Sequence, residues 1–285
     1  MRIAHIIMAH KAPKQLARLI ENLNHPQFDF YIHIDSKIPM DSFKYLSDIP
    51  NVYFIKNRKN CNWGGNSLLI GIISALDEVL SQNKHYDFLN LLSGQDYPIA
   101  TPDQICNFFS LHPEKNFISY DPHTNTQWWN QAKMRYEKYH FTDLNFKWKY
   151  FAERIVNKLL PNRKFPIYSE LYGSCKSTWW TISTDCAKLI ARELTTNKKL
   201  INFIKYSWGT DEFVVATIIM NSDFKQDVIN DNLRYIDWSE GNPNPKMLGI
   251  NDFEQIKSSQ NLFARKFDIE FDSDILDAID KKYHS

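Results

Sequence analysis

The chain has 285 residues, of which 43% are hydrophobic, 14% aromatic and 24% charged, proportions that fit one large or two small globular domains and exclude a disordered or fibrous polymer. Lys and Arg (34) balance Asp and Glu (33), so no global field holds nucleic acid or an anionic membrane, and partners must be read from local sites. Eight glycines against eight tryptophans and fourteen tyrosines suit a flat, aromatic-lined cleft better than a glycine-rich nucleotide cradle.

The first half alternates β-rich runs with helical patterns. Ile3 to Met8 reads as a strand, Pro13 to Leu23 as an amphipathic helix with Leu16, Leu19, Ile20 and Leu23 on one face, and Tyr31 to Ile34 as the next strand. A helix containing Phe43, Tyr45 and Leu46 leads to a strand at Val52 to Ile55, then to a helix from about Ser67 to Leu80. Phe88 to Leu92 is the continuous apolar run of a central parallel strand. Thr101-Pro102-Asp103-Gln104 starts a helix through Phe109, with Thr capping and Pro in the first turn.

After a strand near Phe117 to Tyr120, the stretch Trp128 to Lys164 is aromatic and basic with helical spacing, an insertion over the sheet that ends in a Pro161 to Pro166 connection. A strand at Trp179 to Ile182, a helix to about Leu194, a helix from Asp211 to Met220, a strand around Tyr235 to Asp237 and a polar loop Ser239 to Pro245 follow. This βαβ rhythm predicts an α/β fold with a doubly wound, mostly parallel central sheet flanked by helices. A single domain, 1–285, is expected, with a βαβ half (1–122) and a second half (123–285). No apolar run approaches the 18 or so residues of a spanning helix, and Met1 runs almost directly into the first strand, so a cytoplasmic protein with at most peripheral membrane association is expected. Cys61, Cys106, Cys175 and Cys186 lack CxxC spacing and read as small buried residues without disulfides.

In open α/β sheets ligands bind beyond the carboxyl ends of the strands, which singles out the residues after each apolar run. Asp35, ending the second strand, has two readings: an acceptor for a base or ribose, or the cap of a turn. Trp63-Gly64-Gly65 combines a stacking face with close backbone approach, or is a turn beside a core Trp. Asp211-Glu212 suits a helix macrodipole, yet a carboxylate on a rigid helix end beside tryptophans also suits a general base. Arg265-Lys266 sits between apolar anchors, either aimed at an anion such as a diphosphate or guarding an edge strand, and Lys246 is a third cation for the same anion.

The motifs GxGxxG, GxxxxGK[ST], GxSxG and HExxH are absent, and the one Asp-x-Asp, Asp272-Ser273-Asp274, is far from any strand end. Dehydrogenase, P-loop, hydrolase, zincin and metal-dependent sugar-nucleotide readings are weakened accordingly.

Seven segments, in order, resemble the core-2/I-branching glycosyltransferases, a family that includes branching β-1,6-N-acetylglucosaminyltransferases and peptide O-xylosyltransferases. They are Ile6 to Lys11 with its His-Lys, Tyr31 to Lys37 with its His-x-Asp-x-Lys, Trp63 to Leu69, Asn90 to Ile99, Gly173-Ser174 followed by Trp179-Trp180, Thr210 to Ile218 with its Asp-Glu, and Phe263 to Asp268.

The resemblance implies a GT-A-like fold that binds a UDP-sugar without a metal or other cofactor and inverts the anomeric carbon, with 1–122 as the nucleotide-binding half and 123–285 as the acceptor-binding and catalytic half. On the matching positions, Asp35 would hold the uridine with Met8 nearby, Trp63 would stack at the uracil, Arg265 and Lys266, with Lys246, would neutralise the diphosphate, and Glu212 would deprotonate the acceptor hydroxyl. Asp96, Arg135, Tyr136, Ser174, Asp211 and Trp238 are the acceptor-binding candidates, with Lys133 also in the weakly matching stretch Trp128 to Tyr139. Thr210 stands where branching enzymes carry Pro. The implied donor sugar is N-acetylglucosamine, with xylose next, and the acceptor a glycan or lipid-linked glycan. Without the animal enzymes' anchor and disulfides, a bacterial enzyme of surface polysaccharide assembly is expected. The alternative is a non-catalytic nucleotide-sugar or glycan binding protein on the same fold, against which Glu212 in the matched motif argues, since a binder needs no base.

Overall fold

The computed structural model describes residues 1–122 and 127–283. In chain order the elements are β1 (Ile3–Ala9), α1 (Pro13–Asn22), β2 (Phe28–Ile34), β3 (Val52–Phe54), α2 (Asn66–Leu80), β4 (Phe88–Ser93), β5 (Asp96–Pro98), α3 (Pro102–Leu111), β6 (Asn116–Ile118) and β7 (Asp121–Pro122). Then come α4 (Gln127–Ala132), α5 (Met134–Glu137), α6 (Lys149–Leu159), β8 (Tyr172–Gly173), β9 (Thr181–Ser183), α7 (Thr184–Thr196), α8 (Lys198–Ile204) and α9 (Val214–Met220). The last are β10 (Val228–Asn230), β11 (Arg234–Ile236), α10 (Phe253–Ser258), β12 (Phe263–Arg265) and α11 (Asp274–Tyr283).

A seven-stranded sheet runs β10-β6-β9-β4-β1-β2-β3, parallel except where β9 pairs antiparallel with β4 and β6. The chain winds outward from β1 through β2 to β3, then returns to place β4 on the other side of β1. This is the doubly wound, mostly parallel α/β class that the sequence predicts, and the reversal between β1 and β4 opens a crevice at their carboxyl ends. Because strand side chains alternate, β1 sends Ala4, Ile6 and Met8 into one core, with α2, α7 and α9, and Ile3, Ile7 and Ala9 into the other, with α1, α3 and α11. Both faces of the strand are buried, which accounts for its unbroken apolar run.

The cap at Thr101 forms as expected, its hydroxyl accepting from Gln104 N (3.2 Å) while Gln104 Oε1 accepts from Thr101 N (2.9 Å). Other elements differ from expectation. The helix around Phe43 is a 3-10 helix, Asp41–Asp48. The strand near Phe117 splits into β6 and β7, and the one expected at Trp179 begins at Thr181, after a turn over residues 175–178, although the Trp180 carbonyl already accepts from Leu91 N of β4 (2.9 Å). The helix expected from Asp211 begins at Val214, after a 3-10 turn over Thr210–Glu212. Arg265 does not lie on an edge strand: β12 is the middle of a second sheet, parallel to β11 and antiparallel to β5. All four cysteines are free, but only Cys186 is fully buried, since Cys61 and Cys175 face a cleft. The expected 122/123 boundary between halves adjoins 123–126, outside the described residues. Among the described residues no helix is long and apolar enough to cross a membrane.

Candidate active site

A cleft of about 500 Å³ opens where β1, β2 and β4 end, closed by the segment after β12 and by the 3-10 turn before α9. Its floor is tied together by Gln15, a buried side chain of α1. Gln15 Nε2 donates to the carbonyls of Gly94 (3.0 Å) and Phe267 (3.2 Å), and its Oε1 accepts from Ile269 N (2.7 Å). Residues from both ends of the chain are thereby held around one space.

One end of the cleft is cationic. Arg265 is buried, with its Nε 3.3 Å from Asp96 Oδ1 and its guanidinium 4.5 Å over the Trp179 ring. Lys266 follows it, half-buried and without an ion-pair partner among the described residues. Burial, then the nearby Arg265 and Lys11, hold its pKa below the ordinary lysine value. Burial together with Lys11 and Lys266 likewise lowers that of His10. A group of cations that disfavour one another's charge, in a partly dry cleft, is relieved by a polyanion. Asp35 stands across from them, its carboxylate already accepting from the backbone N–H groups of Lys37 (2.9 Å) and Cys61 (3.2 Å). The turn-capping reading of Asp35 is therefore realised, while the residue also lines the cleft.

The other end is acidic and aromatic. Gly209 enters the 3-10 turn at φ 59°, a left-handed conformation glycine adopts freely, and its N–H donates to the Gly64 carbonyl (2.7 Å). Asp211 is buried and accepts from Thr178 Oγ1 (2.8 Å). Glu212 Oε2 accepts from Arg135 Nη1 at 2.5 Å. Burial pushes the Glu212 carboxyl up to about 7, against the pull of the Arg135 charge and helped by the neighbouring Asp211. The Arg135 guanidinium lies over Trp208 (4.6 Å) and Trp128 (5.0 Å), and Trp208 meets Trp63 edge to face at 5.3 Å. Trp63 itself is 63% exposed at the mouth of the cleft. A Cβ on Gly64 would run into the Trp208 indole, so glycine is required there for the two rings to meet.

The structure thus gathers Met8, Asp35, Trp63, Arg265 and Lys266 around one cleft with Asp211, Glu212 and Trp238. Arg135 reaches the same place through Glu212. Five other candidates are not in its lining. Asp96 is fully buried beneath Arg265, accepting from Ser93 N (2.9 Å) and Ser93 Oγ (3.0 Å), which leaves it to position that arginine rather than to meet a ligand. Tyr136 packs in the core against Trp129 and Phe213. Ser174 is buried and bonded to Ser177 Oγ (3.1 Å). Lys246 is held at 2.6 Å by Asp252 and is not itself in the cleft lining, although Pro243, Asn244 and Pro245 before it are. Lys133 does not line the cleft. Sequence reading missed Thr178 and Trp208, and did not separate Trp179, which faces the cleft, from Trp180, which is core. The alternation of two adjacent tryptophans before a strand was the available signal.

The family model "Core-2/I-Branching enzyme" matches residues 3–259, a span that ends before Arg265 and Lys266. Xylosyltransferase oxt of Drosophila melanogaster is 34% identical over 122 residues, covering 41% of this chain and 14% of that protein. Xylosyltransferase 1 of Rattus norvegicus is 24% identical over 305 residues, covering 98% of this chain and 35% of the relative. The chain thus spans about a third, or less, of the length of these curated relatives. The solved structure of mouse xyloside xylosyltransferase 1, apo form, is 11% identical at a TM-score of 0.39, covering 92% of this chain and 97% of that one.

Proposed function

The chain belongs to the Core-2/I-branching enzyme family, and from that premise we propose that it is an inverting, metal-independent glycosyltransferase that moves a sugar from a UDP-sugar to a hydroxyl of a glycan or lipid-linked glycan. The observation that carries this reading is the polarity of the cleft, with cations Arg265 and Lys266 at one end and the carboxylate of Glu212, raised to about 7, at the other. In the reaction Glu212 removes the proton of the acceptor hydroxyl. The oxygen attacks the anomeric carbon from the face opposite UDP, the bond from that carbon to the diphosphate oxygen breaks, and UDP departs with its charge held by Arg265 and Lys266. One displacement inverts the anomeric carbon. Two fixed cations supply the electrostatic stabilisation that a divalent ion supplies elsewhere.

The names of the relatives support xylose as the donor sugar alongside the N-acetylglucosamine expected from sequence. A role in bacterial surface polysaccharide assembly, carried out in the cytoplasm, is the setting we propose for it. The test is a screen of UDP-sugars for binding, slow hydrolysis and transfer with EDTA present. Turnover is expected to persist under chelation, and loss restored by manganese would refute the metal-free mechanism. Glu212→Gln should lower turnover about 100- to 10,000-fold with donor affinity unchanged. Near-normal turnover in that variant would move the base to another carboxylate.

A further inference from the structure

Helix α6 is set inside out. Its stripe Lys149, Glu153 and Asn157, spaced four apart, faces the protein. Lys149 Nζ donates to the Thr142 carbonyl (2.7 Å), Glu153 Oε2 accepts from Phe141 N (2.7 Å), and Asn157 bonds both the N–H (2.8 Å) and the C=O (2.7 Å) of Tyr139. The stripe on the opposite side, Phe151, Ile155 and Leu159, with the same spacing, faces solvent, Phe151 at 60% and Leu159 at 75% exposure. No residue of the helix is buried. Trp148 just before it (66% exposed) and Leu160 just after extend the apolar surface at both ends. A globular protein ordinarily turns such a stripe to its core, so this arrangement marks a face built for something outside the chain.

The charges say what that is. Six of residues 145–168 are Lys or Arg and one, Glu153, is acidic, in a chain whose formal charge is +1; Lys149 and Arg163 donate inward to backbone carbonyls, which leaves Lys147, Arg154, Lys158 and Lys164 exposed. Arg154 and Lys158 stand on the outward side beside the apolar stripe. We propose that α6 docks this protein on an anionic bilayer, lying in the interface plane with Phe151, Ile155, Leu159 and Trp148 in the headgroup and acyl boundary and the basic side chains on lipid phosphates. A second copy of the chain fits the same face poorly, since a two-fold contact opposes the basic clusters to each other. The inference goes beyond the catalytic reading and does not depend on it. The insertion is nevertheless joined to the cleft wall, because Asp143 accepts from Asn62 Nδ2 (3.0 Å), Ser67 N (2.8 Å) and Ser67 Oγ (2.6 Å), at the loop that carries Trp63. A docked α6 therefore holds the cleft beside the membrane.

The experiment is flotation of the full chain with vesicles of phosphatidylcholine, alone or mixed with phosphatidylglycerol, at low and high salt. The wild type should float with the anionic vesicles and be released by salt. Phe151→Ser with Leu159→Ser, and separately Arg154→Glu with Lys158→Glu, should each weaken binding about tenfold or more, while melting temperature and UDP affinity stay at the wild-type values. Failure of the wild type to bind anionic vesicles, or binding that neither pair of substitutions changes, would overturn the proposal. So would a concentration-dependent dimer that Phe151→Ser with Leu159→Ser dissolves, which would give the face to a second copy.

Discussion

Replacing Arg135 by Met should change how turnover depends on pH more than it changes the fold. On the proposed mechanism Glu212 must lose its proton to act as base, and with its carboxyl at about 7 the wild-type rate should rise through an acid limb centred there. Arg135 holds that limb down, because its guanidinium donates to Glu212 at 2.5 Å and favours the charged carboxylate. Losing an opposite charge at such a distance raises a carboxyl by about one to three units. At pH 7.5 the ionised fraction of Glu212 would fall from about three quarters to between about a quarter and a few parts per thousand, so turnover should drop about 3- to 200-fold. Raising the pH should recover much of it, whereas Arg135→Lys, which keeps the charge, should hold the midpoint near its original place. The assay is initial rate against pH for the three proteins with a UDP-sugar that the wild type turns over. An acid limb that does not move in Arg135→Met, or a loss equal at every pH, would refute the electrostatic role and leave Arg135 as packing between two indoles.

Trp63→Ala should cost at most about 1 kcal/mol of stability, as its ring is largely exposed, but weaken UDP binding about 5- to 100-fold if the ring stacks on the base; a melting collapse with unchanged affinity by calorimetry would contradict this. Lys266→Ala should weaken UDP about 10- to 100-fold through loss of a charge-assisted contact, whereas Lys246→Ala should leave UDP affinity alone because that ammonium is committed to Asp252; equal effects would return Lys246 to the site. Gly209→Ala would bring a Cβ to 2.6 Å from Arg135 Nη1 at a φ of +59°, so it should cost roughly 1 kcal/mol or more in thermal or urea unfolding and move the acid limb upward, and a neutral result would show that the turn relaxes freely.

The sheet was legible because β1, β2 and β4 are buried on both faces and therefore read as unbroken apolar runs, and because the helices between them carry period-3.6 faces. The rule that ligands sit past strand ends then singled out Asp35 and Trp63, each with a turn reading left open beside the ligand one, and the structure places both in the cleft lining. Strands β5 and β10 escaped, since three residues show no period and exist only through partners far away in sequence, such as Tyr97 opposite Ala264 and Ile229 opposite Phe117. The pairing of Arg135 with Glu212 spans 77 positions, and that of Lys246 with Asp252 turns on how one loop folds back. Local pattern contains neither. Helical spacing was visible over Trp128 to Lys164, but neither the bounds of α6 nor which of its stripes faces inward follows from it, since that depends on the backbone groups at Tyr139 and Phe141 that its polar side meets.

The threading of β12 between β11 and β5 also bears on how the protein is made. Synthesis delivers β1, β2 and β4 first, and these already have one another as hydrogen-bonded neighbours. The cation end of the cleft depends on residues 263–267, which lie more than 160 positions downstream of the β5 strand they join. A nascent chain that has emerged past residue 230 but not as far as residue 263 therefore has every strand of the seven-stranded sheet and neither Arg265 nor Lys266, so the cation end of the cleft is completed late in synthesis.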